Sequence, residues 1–206
     1  MEFWSDIAVD KSFKILQELR KEFDFILIGG WAVYFLTKAL KSKDIDVIVD
    51  FEELTKLKIK VGIQKNEFLK KYEAKVEGVS IDVYVPYYSE FAIPPEEIVK
   101  NTVRIENFRI PKPEILLILK QQAELQRRNS VKGQKDRVDI LCLAMSGRVN
   151  WKNYKELLKK FGLEEYEKEF KEIIRAARIE FEYLGIVNLR EVKKIKESIL
   201  RQISAY

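Results

Sequence analysis

The chain has 206 residues, 38 Lys+Arg against 33 Asp+Glu, a 47% hydrophobic share, one cysteine and no histidine. Such a length bounds one large domain or two small ones, and the missing imidazole excludes Ser-His-Asp triads, His-based zinc sites and histidine acid-base catalysis. Chemistry then falls to carboxylates and lysines, which favour hard, oxygen-preferring cations such as magnesium.

The segment Asp10 to Phe23 sets Phe13, Leu16, Leu19 and Phe23 at helical spacing, and DFILIGG after it reads as a buried strand ending in a glycine turn. Trp31 to Leu40 is apolar and long enough for a helix, while DIDVIVDF alternates and is rich in β-branched residues, as a strand is. Residues 52–72 are ambiguous and read as partly helical, with Gly62 as a break. YEAKVEG and VSIDVYVP follow as a hairpin around Glu77-Gly78; PYYSEFAIPPEE is read as a surface excursion, and TVRIENFRIP as a second hairpin around Glu106-Asn107.

Pro111 and Pro113 punctuate the chain, and five helical patterns come after them: EILLILKQQAELQRR, DRVDILCLAMSG, WKNYKELLKKFG, EEYEKEFKEIIRAARIEFEYLG and NLREVKKIKESILRQI. Gly147, Gly162 and Gly185 stand where C-caps belong. The expected fold is therefore α/β (α+β), a small mixed-sheet domain over residues 1–111 followed by a C-terminal helical bundle over residues 112–206. The first part holds 17 basic against 19 acidic residues, net −2; the second holds 21 against 14, net +7. A basic half fits a phosphate-bearing partner or a solvated lysine-rich helix face. No apolar run approaches the roughly 20 residues that span a bilayer, and MEFWSDIAVDK lacks a signal-peptide layout, so a cytoplasmic protein without membrane partners is expected. Cys142, the single cysteine, lies in the apolar run DILCLAM and reads as core.

Three features converge. Gly29-Gly30 ends a strand and opens a helix, where backbone N–H groups can approach phosphate oxygens near a positive helix end. Asp44 and Asp46 alternate with Ile45 and Val47, so on a strand the two carboxylates share one face. Asp82 alternates in the same way with Ile81 and Val83 on a later strand. If the strands are neighbours, three carboxylates gather, repel by several kcal/mol at an intermediate dielectric, and call for a divalent counterion. Two magnesium ions, or manganese, sharing such a cluster serve in-line phosphoryl transfer.

GGWAVYFLTKALKSKDIDVIV resembles the signature of polymerase-β-like nucleotidyltransferases, a Gly-Gly turn followed after a helix by Asp-x-Asp; thirteen residues separate Gly30 from Asp44. The pair GGWA and KDIDV is similar to aminoglycoside nucleotidyltransferases, and the downstream part resembles AbiEii-type nucleotidyltransferase toxins, with Lys120 as a helical lysine and KDRVD at Lys135 to Asp139. The resemblance covers residues 24–145. It implies transfer of a nucleoside monophosphate from a nucleoside triphosphate such as ATP to a hydroxyl acceptor, with release of pyrophosphate. Asp44, Asp46 and Asp82 are then catalytic metal ligands, with Asp82 helping to deprotonate the acceptor. Gly29, Gly30, Lys120 and Asp136 bind nucleotide, Lys120 reaching the triphosphate and Asp136 orienting Lys120 or an acceptor group. Trp31 departs from the pattern, where a small residue or serine often stands, and offers no hydroxyl.

Each feature has a plainer reading: a tight connection for the glycines, a solvated edge for the aspartates, a snorkelling surface lysine for Lys120, helix N-terminal charge for Asp136 and Asp139. RRNSVKGQKDR, with Arg127, Arg128, Lys132, Lys135 and Arg137, reads as an inter-helix loop, either solvated or in contact with nucleotide or RNA phosphates. The acceptor stays open between RNA, tRNA-like included, and a small molecule. The alternatives to free-standing transfer are a toxin with a protein antitoxin as partner and a nucleotide-binding module without turnover.

Overall fold

The computed structural model describes residues 3–206 and divides by its backbone packing into two compact units, Trp4–Lys112 and Pro113–Tyr206, the latter joined by Phe3. The first unit is built on a mixed seven-stranded sheet and the second entirely from helices, so the fold is α+β.

In the sheet unit, α1 (Asp6–Glu22) is capped by Ser5, whose side chain accepts from the Ala8 N–H. It buries Val9, Ser12, Ile15, Leu16 and Leu19 on one stripe. Next come β1 (Ile26–Ile28), α2 (Gly29–Thr37) and β2 (Ile45–Ile48). Apart from Tyr34, α2 is buried from Gly30 to Leu36, as its lack of polar residues requires. α3 (Phe51–Val61) starts on the Asp50 cap and stops at left-handed Gly62. β3 (Gln64–Asn66), β4 (Lys71–Val76) and β5 (Val79–Tyr84) form a meander whose second turn, Glu77-Gly78, has both residues at positive φ, the requirement of a tight hairpin turn. α4 (Pro95–Lys100) precedes the hairpin of β6 (Thr102–Ile105) and β7 (Phe108–Pro111), which turns on Glu106 and Asn107, again both at positive φ.

The strand order is β3-β4-β5-β2-β1-β7-β6. β2 therefore lies inside the sheet, antiparallel to β1 and parallel to β5, with Ile45, Val47, Ile81 and Val83 filling one buried face.

The helical unit comprises α5 (Pro113–Arg127), α6 (Val131–Met145), α7 (Trp151–Phe161), α8 (Glu165–Ala176), α9 (Ile179–Tyr183) and α10 (Leu189–Ser204). α5 is buried almost all round from Glu114 to Gln121 and packs on α6 through a three-residue connection. Its buried polar groups are bonded. The Asn150 N–H donates to Glu114 at 2.6 Å, and Gln121 accepts from the Tyr154 hydroxyl at 2.8 Å while donating to the Tyr166 carbonyl at 2.7 Å. Cys142 is buried here, which pushes its thiol up to about 12. No described helix is long and apolar enough to cross a membrane.

Residues 52–72 are helical in part and break at Gly62, as expected; beyond it the chain makes β3 and its turn, paired to β4. Three sequence expectations need correction. PYYSEFAIPPEE is not wholly irregular, since Pro94 caps and Pro95 opens α4, where a missing N–H costs nothing. Residues 164–185 are two helices rather than one: α8 ends at Ala176 with Ala177 as its C-cap, and the buried Glu180 carboxylate accepts from the Arg178 N–H, starting α9. Lastly, α6 begins at Val131, because Ser130 caps it through the Gly133 N–H; most of RRNSVKGQKDR is therefore helix, not loop.

Candidate functional site

β2 and β5 are adjacent and parallel, and their register sets Asp46 directly beside Asp82. Side chains at one register level of neighbouring strands leave the same face, so the two carboxylates share the face opposite the Ile45–Val83 core. Both are half-buried. Asp44 does not lie on the strand as expected. It stands in the bend just before β2, half-buried, with its carbonyl accepting from the Ser42 hydroxyl at 3.1 Å.

Gly29 is the first residue of α2 and holds φ at 67°. A Cβ placed on it would stand 2.2 Å from Asp46 Oδ2, so the Asp46 carboxylate occupies the space that any other residue at position 29 would claim. The positive end of α2 thus begins against that carboxylate. Gly30 is buried behind it. Trp31 is core: its ring is 1% exposed and its Nε1 donates to the buried Ser12 hydroxyl at 2.9 Å, which fixes α2 against α1.

Sequence reading missed two residues at this level. Glu73 on β4 lies opposite Asp82, extending the row to three carboxylates on three adjacent strands, and Lys71 Nζ reaches Asp82 Oδ2 at 2.7 Å and Glu73 Oε1 at 2.9 Å. Counting back from the two-residue turn at Glu77-Gly78 pairs Glu73 with Asp82, so the register was available in the sequence. Burial works against the charge on Lys71, yet the two carboxylates outweigh it and hold the ammonium above lysine's ordinary range. Lys71 lowers Glu73 in return. Among the described residues, no group of three or more carboxylates or thiols is gathered closely enough to hold a metal ion as it stands.

The remaining predicted residues belong to the helical unit. Lys120 does not snorkel: its side chain is 8% exposed, and Nζ lies 3.0 Å from Asp136 Oδ1 and 2.7 Å from Asp139 Oδ2. Arg127 completes Asp136, Nε to Oδ2 at 2.7 Å, and Lys135 meets Asp139 Oδ1 at 2.6 Å. Burial pulls Lys120 down, but Asp139 and Asp136 more than reverse this and hold it above its usual range. Burial prevails at Lys135, which is lowered. Burial acts to raise Asp136, and Lys120 and Arg127 override it and hold it low.

The basic segment is largely committed internally. Arg128 bonds Glu124 and Glu169, Arg137 bonds Glu124 and Glu180, Arg127 bonds Asp136 and Lys135 bonds Asp139. A run of like charges in sequence becomes a set of ion pairs once the helices return their carboxylates to it.

No family model matches this sequence, and no curated protein does. Among solved structures, the chain is similar to the crystal structure of JHP933 from Helicobacter pylori, with 17% identity and a TM-score of 0.48 over 98% of this chain and 97% of that one. Likeness at that level carries no functional argument.

Proposed function

We propose that this protein is a metal-dependent nucleotidyltransferase, moving a nucleoside monophosphate from a nucleoside triphosphate to a hydroxyl acceptor and releasing pyrophosphate. The observation that carries this reading is the register of Asp46 beside Asp82 on parallel neighbours, with the Asp46 carboxylate seated on the Cβ-less Gly29 at the start of α2. Paired like charges in the middle of a sheet are unfavourable as a purely structural device, and at Gly29 the strain of a positive φ is joined by the space that the Asp46 carboxylate takes.

The donor set fits a hard divalent cation. It is all oxygen and made of carboxylates, and Lys71 bonds Asp82 and Glu73 from β4. Asp44, Asp46 and Asp82 would hold magnesium, or manganese, which when bound supplies charge neutralisation at the attacking and leaving oxygens. The chain's own groups do the rest. Asp82 accepts the proton of the attacking hydroxyl as the new O–P bond forms and the bond to the leaving pyrophosphate breaks; Lys71 holds its carboxylate in place. The N–H groups at the start of α2 face phosphate oxygens, and Gly29 is required because a side chain there would push out Asp46. Lys120 and Asp136 enter only through the family resemblance.

Incubation with each labelled triphosphate, magnesium, and total cellular RNA or small-molecule hydroxyl acceptors tests the reading. Label transfer with stoichiometric pyrophosphate, absent in Asp46→Asn, is the expected result. No magnesium-dependent transfer to any acceptor and no magnesium-dependent binding of any triphosphate would overturn it.

A further inference from the structure

At the other end of β1 from Gly29, the sheet unit has a cavity of about 220 Å³ lined by three arginines, Arg20, Arg104 and Arg109, and a single carboxylate, Asp24. Arg104 on β6 and Arg109 on β7 stand directly opposite each other in the hairpin. Like charges in such a pair destabilise a sheet unless something anionic offsets them. The described structure supplies little. Arg109 Nη1 meets Asp24 at 3.1 Å, but Asp24 is 74% exposed and the pair is worth little in water. Arg104 has no hydrogen bond or ion pair among the described residues.

Arg20 is held in place from behind. Its Nε donates to the Asn107 carbonyl at 2.7 Å, and its guanidinium lies over the Phe108 ring, 5.3 Å from the centroid. The Nε bond and the ring stacking fix the plane of the group and leave its terminal N–H donors for another acceptor. The left-handed turn at Glu106-Asn107 aims that carbonyl, so the hairpin geometry and the arginine's pose are one arrangement.

We propose that this cavity is a binding site for a phosphomonoester, remote from the Asp46–Asp82 row and independent of it. Three guanidiniums against one carboxylate leave a local excess of two positive charges, which matches a phosphomonoester of roughly −1.5 to −2 at neutral pH. A carboxylate or a backbone phosphodiester carries half of that. Planar donor forks suit phosphate oxygens, and the volume lies below the roughly 300 Å³ at which pockets enclose a drug-sized ligand. The site therefore takes the phosphate and leaves the remainder of the molecule outside. A mononucleotide and the 5′ end of a polynucleotide are the two sources of such a group that the test separates.

Calorimetry on the full chain in magnesium-free buffer decides it, with AMP against adenosine and a 5′-phosphorylated oligoadenylate against its 5′-hydroxyl twin. The phosphorylated member of at least one pair binds and its twin does not; AMP binding identifies a small phosphate ester as the source, and binding of the oligonucleotide alone identifies a polynucleotide end. Arg104→Ala with Arg109→Ala lowers that affinity at least about tenfold, while Asp24→Asn, which removes the competing carboxylate, raises it. Arg104→Ala alone removes no described bond, so it keeps the fold intact and gives a partial loss. Absence of binding by both phosphorylated probes, or an affinity unchanged in the double variant, would overturn the site. Magnesium-dependent transfer by the same double variant stays at the wild-type rate, which separates this test from that of the carboxylate row.

Discussion

The two units handle buried charge in opposite ways. In the helical unit, Lys120, Lys135 and Arg127 face Asp136 and Asp139 at 2.6–3.0 Å, and every one of these carboxylates and lysines is enclosed. In the sheet unit, Asp46, Asp82 and Glu73 line up across three strands, part-exposed, with Lys71 bonded to the latter two. A cluster in which each carboxylate already meets two cations is held by its own members and resists change. A half-open row of carboxylates on neighbouring strands stays within reach of solvent and ligands, and on the proposed reading it is where the chemistry takes place.

If that contrast is right, the largest effect belongs to Asp46→Asn. Transfer should fall at least about a thousandfold, because the interaction lost acts on charge that develops in the transition state. Thermal unfolding without metal should be unchanged or slightly raised, since one of two repelling carboxylates has gone. Wild-type turnover in this variant would remove the row from the chemistry.

Lys120→Met should behave in reverse. Removing the cation takes one of two partners from each of the buried Asp136 and Asp139, a loss of about 3–5 kcal/mol typical of one broken buried pair, read by urea unfolding. This reverses the ordering expected for a surface lysine that serves only the nucleotide. A variant with full stability and weakened triphosphate binding would move Lys120 to the active site instead.

Gly29→Ala and Gly162→Ala sharpen the comparison, because both glycines hold φ at 67° and differ only in what a Cβ meets. At Gly162 nothing lies within 4 Å, so the cost is backbone strain of about 1–2 kcal/mol with activity retained. At Gly29 the methyl group displaces the Asp46 carboxylate, so the same strain should come with loss of transfer. Equal activity in the two variants would show that the close approach of Gly29 and Asp46 has no catalytic meaning.

The smallest effect is on pH. Asp136 is depressed in the folded state, so its contribution is present above the ordinary aspartate value of about 3.9 and is lost as pH falls through its lower folded value. Lys120 is raised, so its contribution is complete below about 10.4 and is lost as pH climbs through its higher folded value. The wild-type minus Asp136→Asn difference in unfolding free energy should therefore be flat at neutral pH and shrink below about pH 4. A difference that stays constant into strong acid would show that Asp136 titrates normally.

Much of this was legible in the chain. Apolar spacing located the strands around Ile26, Ile45 and Val79, both tight turns, and most of the C-terminal helices, because burial on one face imposes a period that composition alone records. Alternation also placed Asp46 and Asp82 away from the core. Capping chemistry was underused: Ser130 and Pro94 were visible helix starts, and reading them would have assigned Lys135 to a helix and found α4.

The sequence by itself determined which residues could do chemistry, since the absence of histidine and the placing of three aspartates on or beside strands are facts of one dimension. Tertiary structure alone decided what each charge is used for. Whether Lys120 faces solvent or two carboxylates, and whether Arg104 meets a partner or a second arginine, depends on which distant segments return to the same place. Spacing along the chain cannot report this, because the electrostatic energy of a charge is set by its neighbours in space and by the water they exclude.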